Sequence, residues 1–350
     1  MNLNKLGLSA DLSLQVPNGL GLARVITEHR ERYLVHNGER ELEAEILGNL
    51  RYSAQSRADF PAVGDWVAIS EYDDGPALIH QVLERQNFLA RSAVGAKSDQ
   101  QIIATNVDVA FIVLAVDRDF SINRIQRYLT ICNSGGIEAV IILNKIDLIS
   151  ESALEELHFE IKSRLKDQAF LSISLSENRG LEALNLLLQA GKTYCLLGSS
   201  GVGKSSLMNS LAGSSSMKTD HISESTQRGR HVTTHRELKV LENGSIFIDN
   251  PGMREIGITD NQRGMDLTFE EISSLSEDCK YKDCQHLSEN GCAVLAAVEN
   301  GDLSEDTYQN FLKMEREKAH YESTQVERRR KDKQFGKMVR EVKKRKGHKP

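Results

Sequence analysis

The stretch Gly198-Ser-Ser-Gly-Val-Gly203-Lys204-Ser205 leaves this chain the fewest folds to choose from. It has the form G-x-x-x-x-G-K-S, follows the apolar run Thr193–Leu197 and opens the helical pattern Lys204–Leu211. Strand, glycine-rich turn and helix in that order make a cradle for phosphates. The glycines let backbone N–H groups close round the anion, and the helix N-terminus adds positive potential. Gly198, Ser199, Ser200, Gly201, Val202 and Gly203 are expected to line the phosphates, with Ser206 beside them. Lys204 should reach the β and γ phosphates, and the Ser205 hydroxyl should ligate Mg2+. Such a cradle needs a parallel sheet covered by helices. Val107–Val116 is nearly continuous apolar sequence, as a strand buried on both faces is. Helical patterns at Ile122–Cys132, Glu151–Lys166 and Leu181–Gln189 alternate with strand patterns at Ile137–Leu143, Phe170–Ser174 and Thr193–Leu197. Glu237–Leu241 and Ser245–Ile248 add two more strands, so a doubly wound α/β domain is expected.

A second motif selects the base. Asn144-Lys145-Ile146-Asp147 ends the strand pattern Ile137–Leu143. The Asp147 carboxylate can accept hydrogen bonds from guanine N1–H and the exocyclic amine. Adenine would leave it unpaired, and mismatches of that kind discriminate strongly. Asn144 is expected to brace the base side against the phosphate loop, and the Lys145 stem to lie across the ring. Ser172-Ile-Ser174-Leu has the position of a loop that supports the base from its other side, with Ser172 as the expected contact.

Asp249-Asn-Pro-Gly252 has the form D-x-P-G. Asp249 would hold Mg2+ through water, and the Gly252 N–H would sense the γ-phosphate. Residues 212–234 are rich in Ser, Thr and Gly without periodicity, the mark of a functional loop. Thr233-Thr234 closes it, and Thr234 is the expected Mg2+ ligand when GTP is bound. Met253 follows Gly252, where a Gln commonly orients the attacking water, and a thioether cannot do this. His231, in Gly229-Arg-His-Val-Thr-Thr, is the candidate for that task, since an imidazole orients water and titrates near neutrality. Catalytic roles are thus expected of Lys204, His231 and Thr234.

These parts stand in an unusual order. Guanine-nucleotide switches ordinarily run phosphate loop, mobile threonine, D-x-P-G, then N-K-x-D; here N-K-x-D comes first. Joining the termini of a compact domain and cutting a surface loop leaves its core intact. The chain therefore reads as a circular permutation cut just after D-x-P-G, with further domains attached at the cut beside Gly252.

Residues 20–85 read as five short strands: Leu22–Glu28, Arg32–His36, Glu41–Leu47, Asp65–Glu71 and Ala77–Glu84. Asn37-Gly38 marks a hairpin. Five short strands suit a small closed barrel of the OB type. Residues 86–101 read as a linker. Beyond Thr268 the pattern turns helical and polar round Cys279-x4-Cys284-x-His286-x5-Cys292. Three thiolates and an imidazole complete a tetrahedral Zn2+ site with no open position, hence a structural one. Cys132 and Cys195 lie in apolar segments and read as buried thiols.

The net charge of −6 hides a polarity: residues 328–350 hold twelve Lys/Arg against two acids, a +10 tail on an acidic body. A basic tail suggests a polyanionic partner. No apolar run approaches the ~18 residues that span a bilayer. Met1–Ala10 carries neither a signal-peptide nor an anchor pattern, so a cytosolic protein with no membrane partner is expected.

Together these residues resemble the ribosome small-subunit-dependent GTPase A family, bacterial circularly permuted GTPases. The resemblance rests on Pro61-Ala-Val-Gly-Asp-Trp66-Val in the barrel, the permuted motifs, Gly229-Arg-His-Val-Thr-Thr and the cysteine spacing, and covers nearly the whole chain. Val232 replaces a Thr common in the family, which leaves Thr233 and Thr234 in place. The expected architecture is an α/β, circularly permuted P-loop GTPase domain at 102–262, preceded by a five-stranded OB-type β-barrel at 1–85 and a linker at 86–101. A mainly helical zinc-binding domain at 263–327 and a basic tail at 328–350 follow. The resemblance implies hydrolysis of GTP to GDP and phosphate with Mg2+ as cofactor, stimulated by the small ribosomal subunit. It also implies a role in late subunit maturation, ribosomal RNA contacts through barrel and zinc domain, and nucleotide-gated attachment. A cytoplasmic monomer is expected. Two other readings stay open on the sequence: a GTP-dependent RNA-binding module in which hydrolysis is incidental, and a permuted GTPase of another RNA particle.

Overall fold

Inward alternation of small and branched residues closes the first part of the chain into a barrel. In the computed structural model, which describes residues 3–29, 32–73, 75–92, 100–117, 120–213, 236–249 and 262–322, β1 (Gly21–His29) pairs with β2 (Arg32–His36), and β2 with β3 (Glu41–Ile46). The short helix α2 (Gly48–Ser53) leads to β4 (Trp66–Ser70) and β5 (Ala77–Val82). Strand β3 runs parallel to β5, β5 pairs with β4, and β4 returns to β1, so the ring has no free edge. Val25, Val35, Val67, Ile69 and Ile79 fill it. On its outside, α1 (Ala10–Ser13) and the turn before it set Leu12 and Leu6 against Trp66, Ala68 and Leu83.

Arg24 is buried where barrel, N-terminus and second domain meet. Its guanidinium lies 5.4 Å from the centre of the Trp66 ring. Nε donates to the Gly64 carbonyl at 3.1 Å, Nη1 to the Leu6 carbonyl, and Nη2 to Thr193 Oγ1 at 3.0 Å. Burial lowers its pKa to about 10, so it stays charged at neutral pH.

Within the segment expected as a linker, β6 (Phe88–Ser92) pairs antiparallel with β7 (Gln100–Thr105). Leu89, Ile103 and Ala104 of this hairpin are buried in the core of the next domain. That domain alternates as its sequence predicts: β8 (Val109–Ala115), α3 (Ile122–Gly135), β9 (Glu138–Asn144), α4 (Glu151–Leu165), β10 (Phe170–Ile173), α5 (Leu181–Leu187), β11 (Thr193–Leu197), α6 (Lys204–Leu211), β12 (Glu237–Val240) and β13 (Ile246–Asp249). The strands lie in the order β10-β9-β8-β11-β13-β12, parallel except for β12. Counted from β11 as the first, that order is 2-3-1-4-5-6, a doubly wound sheet entered partway round. Every residue of β8 and β11 is buried. One face packs Ile112, Leu114, Leu143 and Leu197 under Ile125, Leu129 and Leu154 of α3 and α4. The other stacks Phe111, Tyr194 and Phe247 at 5.4 and 5.3 Å under Leu184 and Leu207 of α5 and α6.

Helices α7 (Gln262–Thr268), α8 (Glu270–Glu277), α9 (Ala293–Asn300) and α10 (Glu305–Glu322) form a third unit round Met265, Phe269, Ile272, Val294, Leu312 and Met314. It docks on α3, where Gly264 of α7 packs so closely that a Cβ there would lie 2.3 Å from the Thr130 carbonyl oxygen, and polar contacts join the two. Asn133 Nδ2 donates to Thr268 Oγ1 at 3.0 Å, Asn310 Nδ2 to Gln126 Oε1 at 2.7 Å, and Arg127 grips both oxygens of Glu317. Among the described residues, no helix is long and apolar enough to cross a membrane.

Candidate functional site

The described parts of every nucleotide motif come out at one edge of the sheet, beyond the carboxyl ends of its parallel strands, where open α/β sheets bind ligands. Register places them side by side. Asn144 lies beside Ala115, Leu197 beside Ile112, and Ile248 beside Cys195. The row from β10 to β13 therefore runs Ser174, Asn144 to Asp147, Asp117, the phosphate loop, and Asp249.

The phosphate loop is shaped by its glycines. Gly198 has φ 143°, and a Cβ there would lie 2.2 Å from the Val113 carbonyl oxygen. Gly203 has φ 100°, and a Cβ there would lie 2.3 Å from Asn144 Nδ2. No L side chain fits either place. Val202 is buried beneath the loop in the α5–α6 layer. Asn144, itself buried, donates from Nδ2 to the Val202 carbonyl at 2.8 Å, which ties the base motif to the phosphate loop. Lys204 Nζ rests on the carbonyls of Gly198 and Ser199 at 2.7 and 2.6 Å. Ser205 lies in the first turn of α6, whose N–H groups lack partners within the helix.

On the base side, Lys145 adopts a left-handed conformation with φ 64°, and its ammonium lies 3.7 Å from Asp117 Oδ2. Asp147 Oδ1 accepts from Ser174 Oγ at 2.6 Å, and that hydroxyl is 2.9 Å from Ser176 Oγ. The Ser174 hydrogen bond holds the Asp147 carboxyl below the usual carboxylate range, so it stays charged at neutral pH. Ser174 is fixed by two 3.0 Å backbone bonds with Arg179. Ser172 points elsewhere: its Oγ meets His158 Nε2 of α4 at 2.7 Å. Strand β10 ends at Ile173, and the turn after it brings Ser174, not Ser172, to Asp147. Asp117 and Ser176 carry no motif signature that would single them out. His231, Thr234 and Gly252, with Met253, lie outside the described residues. Ser205 opens the helix that follows β11 and Asp249 ends β13, the strand beside β11; their hydroxyl and carboxylate are hard oxygen donors of the kind Mg2+ takes.

The cysteine cluster is a second centre. The ligand atoms of Cys279, Cys284, His286 and Cys292 all lie within 4.8 Å of one another. Three of the separations are 3.8 Å (Cys279 to Cys292), 3.6 Å (Cys279 to His286 Nδ1) and 3.4 Å (His286 Nδ1 to Cys292). A tetrahedron with Zn–S bonds of ~2.3 Å has edges of ~3.8 Å, so the residues fit zinc. Glu289 stitches the intervening loop: its carboxylate accepts from the N–H groups of Gln285, Leu287 and Ser288 at 2.8–3.0 Å, which pulls its pKa to about 2. The Tyr308 hydroxyl donates to the His286 carbonyl, and Cys292 Sγ accepts from the Leu295 N–H at the start of α9. Such outer partners orient metal ligands.

Comparison with known proteins agrees with this geometry. Residues 82–259 match the family described as RsgA GTPase. The chain is 40% identical over 349 residues to "Small ribosomal subunit biogenesis GTPase RsgA 2" of Lactiplantibacillus plantarum, covering 96% of this chain and 95% of that protein. It is 37% identical to "Small ribosomal subunit biogenesis GTPase RsgA 1" of Bacteroides thetaiotaomicron, covering 93% and 91%. The crystal structure of YjeQ from Thermotoga maritima superposes with a TM-score of 0.64 at 26% identity, over 84% of this chain and 97% of that one. That of YloQ, a circularly permuted GTPase, shares the fold with a TM-score of 0.61 at 24% identity, over 88% and 98%. With an OB-like barrel before the permuted domain and a helical Cys/His unit after it, the chain belongs to the RsgA GTPase family and is a GTP hydrolase.

Proposed function

We propose that this protein hydrolyses GTP to GDP and phosphate in small-ribosomal-subunit biogenesis, that the subunit stimulates turnover, and that nucleotide state gates attachment to its RNA. The observation that carries the reading is the hydrogen-bonded line Val202–Asn144 and Asp147–Ser174. A carboxylate held by Ser174, on the segment that Asn144 ties to the phosphate loop, supports a site in which base identity and phosphate position are read together. Asp147 reads the base edge, the Lys145 stem covers the ring, and the 172–174 segment supports the far side. Gly198 to Ser206 hold the phosphates. Lys204 exchanges the carbonyls of Gly198 and Ser199 for phosphate oxygens, which draws charge off the leaving group. Ser205, Thr234 and Asp249 would hold Mg2+, which when bound neutralises phosphate charge; Gly252 senses the γ-phosphate. His231 orients the attacking water in the place that Met253 cannot serve.

Outside the nucleotide site, Cys279, Cys284, His286 and Cys292 would hold one structural Zn2+. The barrel (1–85), the zinc unit (263–327) and the basic tail (328–350) contact RNA; the connector 86–101 and the GTPase domain 102–262 join them. The protein acts as a cytoplasmic monomer. The names of its relatives support the choice of partner. GTP turnover measured with and without purified small subunits tests it. Stimulation on the order of tenfold or more is expected, since partners that complete a switch site accelerate hydrolysis strongly. Equal rates with and without small subunits, or stimulation by large subunits instead, would remove the proposed partner.

A further inference from the structure

Strands β8 and β9 run parallel with Ala115 opposite Asn144, and the Val116 N–H donates to the Asn144 carbonyl at 3.1 Å. Asp117 and Lys145 come next along each chain, so they leave the sheet side by side. Lys145 has little backbone freedom. Its φ is 64°, its N–H donates to Asn144 Oδ1 at 2.8 Å, and its carbonyl accepts from the Leu148 N–H at 3.0 Å. A left-handed conformation is uncommon for a residue with a side chain, and here bonds on both sides hold it. The four-carbon stem beyond it can still swing its charge.

Two carboxylates compete for that charge. Lys145 Nζ lies 3.7 Å from Asp117 Oδ2. Asp147 stands only two residues further along the chain, and its carboxyl, held low chiefly by the Ser174 hydroxyl, also feels the Lys145 charge. An ammonium lying on Asp147 would cover the acceptors that guanine N1–H and the exocyclic amine need. Neither pairing is worth much alone, but a contest between two like pairs turns on small differences. The side chains of Lys145 and Asp117 are 31 and 33% exposed, whereas Asp147 is exposed, so water screens the Asp117 pairing less.

We propose that Asp117 is a positioning residue for guanine recognition: by holding the Lys145 ammonium it keeps Asp147 unmasked for the base. This rests on the base-reading role given to Asp147 above. With Asp117 in place, the binding-competent state of the nucleotide-free protein is the populated one. Without it the ammonium turns to Asp147, and apparent affinity falls with the fraction of protein left competent. The arriving base then has to displace the ammonium, so the loss falls on association. Once the base sits on Asp147, the ammonium no longer competes, and dissociation changes little.

The full-length protein tests it as Asp117→Asn, Asp117→Glu, Lys145→Met, and Asp117→Asn combined with Lys145→Met. Association and dissociation rates of a fluorescent GDP analogue are measured by stopped flow, and Tm by melting. Asp117→Asn should associate about three- to fivefold more slowly, the effect of one partly exposed pair, with dissociation changed by less than about twofold. Asp117→Glu should restore most of the rate. In Lys145→Met, which keeps a stem but carries no charge, Asp117→Asn should change nothing further. Asp147→Asn should move preference from GDP to xanthosine diphosphate, and adding Asp117→Asn to it should not slow xanthosine diphosphate binding, since residue 147 no longer attracts the ammonium. Unchanged association in Asp117→Asn overturns the inference. So does an equal loss in the Lys145→Met background, a loss that falls on dissociation, or a slowing that tracks a fall in Tm. Any of these beside a shifted preference in Asp147→Asn defeats this inference and leaves the base reading standing. If Asp147→Asn keeps its preference for GDP, the base reading itself fails and takes this inference with it.

Discussion

The phosphate loop and the Cys/His knuckle both present ligand atoms, and they are supported in opposite ways. The loop takes its shape from the sheet. Val202 is anchored beneath it, Asn144 bonds across it, and the stacked rings of Phe111, Tyr194 and Phe247 lie in the layer below. Its donors are backbone N–H groups, which carry no net charge that must be neutralised for the loop to form. In the knuckle the ligand atoms are three thiols and an imidazole crowded within 4.8 Å. As thiolates they repel one another unless a cation lies between them. Three of the four helices around them are short, seven residues in α7 and eight each in α8 and α9, below the length at which a helix is stable alone; only α10, at 18 residues, is longer. The fold makes the loop before its ligand arrives, whereas the knuckle is expected to need a metal to hold it.

Metal removal is the hardest test of that contrast. Chelation, or Cys292→Ser, which removes a thiolate ligand but leaves a hydroxyl able to cap α9, should unfold residues 262–322. Structural zinc supplies roughly 10 kcal/mol of apparent folding free energy in small domains. The barrel and GTPase sheet should keep their protection in hydrogen exchange, resolved by segment. If stripping nucleotide opens residues 198–205 as far as chelation opens 279–292, the two cradles are alike and the contrast is wrong.

Gly203→Ala tests the other side. The new Cβ would meet Asn144 Nδ2 at 2.3 Å in a backbone with φ 100°, so it breaks the tie between base motif and phosphate loop. Nucleotide affinity should fall on the order of a hundredfold or more, because binding depends on alignment of the loop's N–H groups. Stability should fall by only about 1–3 kcal/mol, the cost of one strained position. Calorimetric titration with GDP and a denaturant melt separate the two. Global unfolding would mean that the loop supports the sheet, and not the reverse.

The same contrast explains what the sequence made legible. Phosphate and metal chemistry fix residue types at short spacings, so both centres could be read locally. The strand Thr193–Leu197 and helix Lys204–Leu211 fall at the residues expected. What escaped depends on partners distant in the chain. The strand Phe88–Ser92 is five residues long, and its partner begins beyond an intervening segment. Ser172 and Ser174 are the same residue type two apart, and only the turn after Ile173 decides which one meets Asp147. Arg24 and Glu28 carry no local motif, and their partners Thr193 and Arg236 lie more than 150 residues away. Glu289 could have been found, because a carboxylate between two metal ligands is well placed to gather loop N–H groups.

The smallest expected effect bears on the seam between the two regions. Arg127 of α3 grips Glu317 of α10, and Gln126 accepts from buried Asn310 beside it. Both ends of the ion pair are about a quarter exposed, and a pair so placed contributes on the order of 1 kcal/mol. Arg127→Ala should therefore weaken docking of the zinc unit by about that amount without unfolding it. Amides on the facing sides of α3 and α10 should exchange a few-fold faster, while zinc content, measured by metal analysis after dialysis, stays unchanged. Loss of zinc in Arg127→Ala would show that the knuckle depends on the GTPase domain as well as on its metal. The two cradles would then be one cooperative unit, joined through α3 at its packing against α10.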